Sequence, residues 1–187
     1  MTPAQLLRRH GRVTLGLTRS ELSEVEVRYD FTFAPDHRAL LSEVLPTGQD
    51  WPDWRHGNSD ELRELVSMPS REQQAAAAGG HLWLDSWGPR PDDAEQLVRT
   101  AVREVAAAPA LVPLHAWRYV LSAPARSGGP VFSYFHNDTI TIARDITHYV
   151  EHWAGKRNVD QMVNHARPVP FWTELTEMHA RPTGSRA

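Results

Sequence analysis

Ten histidines and no cysteine set the terms for any chemistry this 187-residue chain can do. Without cysteine there is no thiolate metal site, no thiol nucleophile, no disulfide framework and no redox pair. Among the histidines, His148 and His152 stand four apart. On a helix they share a face, as the two zinc ligands of an H-E-x-x-H segment do. Here Tyr149-Val150-Glu151 intervene, so the Glu is not where a metalloprotease base sits, and no third ligand follows from spacing. A metal-dependent hydrolase using His148 and His152 is the enzymatic alternative. Against it stands the plainer reading that both occupy the polar side of a helix whose apolar side is Ile146, Tyr149, Val150 and Trp153. His136-Asn137-Asp138 places an imidazole near a carboxylate, but adjacent turn residues point apart, and Asn and Asp are ordinary turn formers. No G-x-S-x-G elbow accompanies it. Glycine-rich dinucleotide loops, P-loops and EF-hand loops are absent too, and no cofactor is implied. Asp60-Glu61 and Asp92-Asp93 fall in first turns of helices, where the macrodipole accounts for them. His56, His115, His165 and His179 are isolated and read as surface or hydrogen-bonded residues.

Two loops remain that mix aromatic and charged side chains: Trp51, Asp53, Trp54 and Arg55 in one, Trp87 and Arg90 in the other. Trp and Arg are enriched in binding hot spots. The same tryptophans can instead cap a core from its rim. Composition narrows the partner. A net charge of −3 lacks the basic excess of a nucleic-acid binder. No apolar run approaches the roughly 20 residues that span a bilayer. The opening MTPAQLLRRHGR has no apolar signal core, so a cytoplasmic location is expected. Nineteen of the 20 Lys+Arg are Arg, Lys156 being the exception, a bias that suggests a GC-rich bacterial genome.

The elements that must position these residues can be read from spacing. Thr18 and Glu21 form a capping box, and Leu22, Val25 and Tyr29 follow at helical intervals. Pro35-Asp36 opens a second helix with Leu40, Leu41, Val44 and Leu45 as its stripe and Pro46 as its stop. A third helix runs from Asn58 or Ser59 to about Val66, and a separate helical stretch over 70–78 ends at Gly79-Gly80. Asp92 or Asp93 begins the strongest helix, with Ala94, Leu97, Val98, Ala101, Val102 and Val105 on one face. Residues 111–121 read as one strand, then Val131–Phe135 and Thr139–Ile142 as a hairpin about His136-Asn137-Asp138. Asp145 caps a helix ended by Gly155, and Pro168–Met178 can dock through Phe171, Trp172 and Leu175. Helices first, then an antiparallel sheet, then a C-terminal helix packed on it make a single α+β domain.

Several segments, in this order, resemble the SUKH superfamily. They are Gly16-Leu17-Thr18 with Glu21-Leu22, Phe31-Thr32-Phe33-Ala34-Pro35-Asp36 with Leu40-Leu41, Trp51-Pro52-Asp53-Trp54-Arg55, and Leu82-Trp83-Leu84 through Trp87-Gly88-Pro89-Arg90-Pro91. Ala108-Pro109 with Leu111-Val112-Pro113, Gly129-Pro130-Val131-Phe132-Ser133 with Asp138, Asp145-Ile146 with Tyr149-Val150, and Pro170-Phe171-Trp172 complete the set. The resemblance implies one domain over 16–176, with 1–15 as an N-terminal extension and 177–187 as a disordered tail. It further implies a protein-binding domain without catalytic residues, either an immunity protein that neutralises a cognate bacterial toxin or a regulatory scaffold of cell-wall or signalling type. The contact residues expected are Asp53, Trp54, Trp87, Arg90 and Asp138.

Overall fold

Four strands form an antiparallel sheet in simple sequential order: β3 (Leu111–His115), β4 (Arg118–Leu121), β5 (Val131–Phe135) and β6 (Asp138–Ala143). The computed structural model describes residues 1–136, 138–158, 163 and 165–180. A two-stranded antiparallel sheet pairs β1 (Arg12–Leu15) with β2 (Val44–Thr47). Among the described residues the helices are α1 (Pro3–His10), α2 (Arg19–Tyr29), α3 (Pro35–Glu43), α4 (Ser59–Ala78), α5 (Ala94–Ala106), α6 (Ile146–Trp153) and α7 (Trp172–Ala180). This is the α+β arrangement expected, with a C-terminal helix on the sheet.

Alternation along the strands sends side chains to two layers. Tyr119, Phe132 and Tyr134 face one way and meet Ala77 of α4, Ala101 and Val105 of α5, and Trp172 and Leu175 of α7. Val120, Val131 and Leu114 face the other way and meet Ala4, Leu6 and Leu7 of α1 and Ile146, Tyr149 and Val150 of α6. Beside that second layer, Val112 joins Leu22, Val25 and Tyr29 of α2, Phe33, Leu41 of α3 and Trp54.

Local signals account for several boundaries. Thr18 Oγ1 accepts from Glu21 N while Glu21 accepts from Thr18 N, so the expected capping box starts α2. Asp93 and Asp145 cap α5 and α6 through Gln96 N and His148 N. The docking expected of Phe171, Trp172 and Leu175 is seen, all three being buried.

Four expectations are corrected. Residues 1–15, expected as an N-terminal extension outside the domain, pack on it: a Thr2–Gln5 capping box starts α1, whose Ala4, Leu6 and Leu7 are buried in one cluster with Val120 and Val131. The stretches 59–66 and 70–78 are one helix, α4, which runs through Pro69. Val44 and Leu45 leave the helical stripe of α3 for β2, because Arg12–Leu15 offers them a partner strand. Residues 111–121 are two strands, turned at Ala116-Trp117 with Ala116 at φ 48°. At the C-terminus, α7 continues through 177–180; the remainder of the expected tail, 181–187, lies outside the described residues, as does Asn137 of the hairpin turn.

Candidate functional site

Helices α1 and α6 cover only part of their side of the sheet. Toward the β5–β6 hairpin, the same side carries Phe135 paired with Asp138, Ser133 paired with Ile140, and Arg118 beside Ser133. Phe135 is 45% exposed and Ile140 48% exposed. Trp117, in the β3–β4 turn, is 42% exposed and meets Phe135 edge to face at 5.1 Å between ring centroids. Such contiguous apolar side chains in water are costly unless something covers them, which is why exposed aromatic patches mark interaction surfaces. Arg118 donates to Ser133 Oγ at 3.1 Å.

Next to Trp117 opens a cleft of about 330 Å³, walled by Trp51, Pro52, Leu62 and Leu65. Its charged lining is acidic: Asp50, Asp53 and Glu61, with no arginine or lysine among the described residues that line it. Asp53 also shapes the loop, since its Oδ1 accepts from Arg55 N and His56 N at 3.2 and 3.0 Å. At the other end of the patch the Asp138 side chain is 73% exposed, 3.8 Å from His179 Nδ1. Asp53 and Asp138 thus flank one aromatic surface, Asp53 through the cleft and Asp138 through its pairing with Phe135.

The remaining expected contact residues are elsewhere. Trp54 is 4% exposed and packs edge-on against Tyr29, Phe31 and Phe33. It is a core residue and presents no surface, a correction to its expected role. Arg55, from the same loop, donates to both carboxylate oxygens of Glu21 and to the Leu15 and Gly16 carbonyls. That pair holds the Glu21 carboxyl down at about 2. Trp87 lies over Phe171 and against Trp83, in the α7 layer on the opposite side of the sheet from Phe135. Arg90 is exposed and donates to Gly80 O at 3.0 Å, which closes its own loop. Sequence reasoning missed Phe135 and Ile140 as surface residues. Trp117 was missed because it was read as part of a continuous strand.

The helical histidine pair does not converge. His148 is buried, not on the polar face, with Nδ1 2.7 Å from Asp145 Oδ1. His152 Nδ1 instead donates to the Arg157 carbonyl at 2.9 Å. Among the described residues no group of three His, Asp or Glu side chains is placed to hold a metal ion. No helix among them is long and apolar enough to cross a membrane. Comparison with known protein families, curated proteins and solved structures found no match.

Proposed function

We propose that this chain is a non-enzymatic protein-binding domain of the SUKH type whose partner docks on the uncovered half of the sheet. The observation that carries the reading is the exposed Trp117–Phe135 pair with Ile140 beside it. Aromatic anchors surrounded by polar groups are the composition of an interface centre. The carboxylates of Asp50, Asp53, Glu61 and Asp138 around it favour a basic partner surface, because complementary charge raises the association rate and rejects wrong partners. A toxin with a cationic active site, such as a nuclease, has that chemistry, and an immunity protein acting in the cytoplasm is the form of the proposal.

The experiment is affinity capture with the tagged chain, followed by binding measurements with the purified partner. One stoichiometric toxin-like partner, lost on Trp117→Ala/Phe135→Ala, is the expected result. A partner retained undiminished by that double variant overturns the assigned face. A set of signalling or wall-synthesis proteins in place of a toxin moves the reading to the regulatory scaffold.

A further inference from the structure

A second cleft, of about 600 Å³, lies at the far end of β4, between segments 107–110, 121–130 and 167–170. Its size is that of a small-molecule site, commonly about 300–1,000 Å³. The floor is apolar, with Leu121 and Val169 8% and 6% exposed. Five prolines line it: Pro109, Pro124, Pro130, Pro168 and Pro170. A proline has no N–H to offer, so this wall is poor in donors and its backbone is fixed in advance. The lining hydroxyl of Ser122 is already engaged, donating to Thr32 O and accepting from Thr32 N. What remains polar is cationic. Arg126 and Arg167 both line the cleft, and no carboxylate does among the described residues. Arg167 is anchored by donation to Ser127 O at 2.5 Å, while the Arg126 side chain has no partner among the described residues.

We infer that this cleft binds an aliphatic carboxylate, with the chain along the proline-rich wall and the head group between Arg126 and Arg167. A peptide fits less well, because its backbone carbonyls would meet few N–H donors on that wall. A cationic amphiphile is excluded by charge. The two guanidiniums are solvent-exposed, so each contributes the modest energy of a surface pair. An eight-carbon probe then has a dissociation constant on the order of 1 mM.

The test is an NMR titration of the full chain with octanoate, octanol and octylammonium. Octanoate is expected to give saturable shifts of the Ala110, Ala125 and Val169 amides, and octylammonium none. Arg126→Glu with Arg167→Glu should weaken octanoate about tenfold and admit octylammonium. Arg126→Glu alone breaks no internal hydrogen bond and should weaken it about threefold, which keeps the test clear of any loop rearrangement. Octanol binding as tightly as octanoate, octanoate shifts centred elsewhere, or indifference to both arginine variants overturns the inference.

Discussion

Tyr119 supplies to Leu65 the hydrogen bond that Pro69 withholds. In an α-helix the carbonyl of residue 65 accepts from the N–H of residue 69, and proline has none. In α4 that orphaned carbonyl turns to the sheet, where the Tyr119 hydroxyl donates to it at 3.1 Å. Tyr119 is fully buried, and burial pushes its hydroxyl pKa well above the usual range. Two turns further on, Gln73 Nε2 donates to the Tyr134 hydroxyl at 3.0 Å. The two tyrosines therefore fasten one helix to neighbouring strands by polar contacts inside an otherwise apolar layer.

Tyr119→Phe is expected to cost about 1–3 kcal/mol, the penalty for leaving a buried carbonyl unpaired. Restoring a backbone N–H with Pro69→Ala should shrink that cost, so the two substitutions are non-additive in urea denaturation. Additive effects would show that Leu65 does not depend on Tyr119.

Gly16 carries a second expectation. A Cβ built there would lie 2.1 Å from the Ser42 carbonyl oxygen and 2.4 Å from its carbon, against backbone that cannot swing away. Gly16→Ala should destabilise by at least about 2–3 kcal/mol or prevent folding, as overpacking against a fixed wall does. Gly129, where the nearest contact is the flexible Leu121 side chain at 3.2 Å, is the milder comparison. Circular dichroism melts of the two alanine variants check the ranking.

Such contacts explain what was and was not legible beforehand. Helix starts were readable at Thr18, Asp93 and Asp145, because a cap and the backbone it satisfies lie within three residues. The continuity of α4 was not, since Pro69 is a local break signal whose remedy, Tyr119, is fifty residues away. The β1–β2 pairing also joins distant segments, Arg12–Leu15 with Val44–Thr47. The turn at Ala116 uses a positive φ without glycine or asparagine, so nothing in its composition marks it. For the candidate site, residue type identified the right kind of side chain but not its exposure. Several segments of the family resemblance turn out to do structural work. Gly16 clears a backbone crossing, Thr18 and Glu21 cap α2, Trp54 fills a core, and Arg55 ties its loop to Glu21.

His37 gives a prediction with a sign. It is 1% exposed, set edge-on to Phe33, and its Nδ1 has no hydrogen-bond partner among the described residues. Burial pushes its pKa from 6.5 down to about 3. The unfolded chain takes up this proton near pH 6.5 and the folded chain only near 3. The stability contributed by neutral His37 is therefore complete above pH 6.5 and is lost as the pH falls toward 3. The loss is up to about 4–5 kcal/mol at roughly 1.4 kcal/mol per pH unit. His37→Leu should remove this slope. Burial also lowers the pKa of His115, so the difference between parent and variant at each pH is the quantity to measure. A difference independent of pH between 3.5 and 6 would show that His37 is not held neutral.

Trp54 and Trp117 separate stability from binding within one residue type. Trp54 closes an aromatic cluster with Tyr29, Phe31 and Phe33, and its truncation leaves a cavity bordered by α2 and α4. Trp54→Ala is expected to cost about 3–5 kcal/mol and to weaken partner binding only through the unfolded fraction. Trp117 belongs to none of the buried clusters, so Trp117→Ala should change folding stability by only about 1 kcal/mol, mainly through its contact with Phe135. Its loss from the proposed interface should cost about 2 kcal/mol or more in partner affinity, the size of a hot-spot truncation. Chemical denaturation and calorimetric binding on the same two proteins give both numbers. The opposite pattern, with a stable Trp54→Ala that cannot bind and a Trp117→Ala that binds normally, would move the interface to the loop of Trp54. That surface would then have to open, since the ring is sealed beneath Phe31 and Tyr29 in the folded chain.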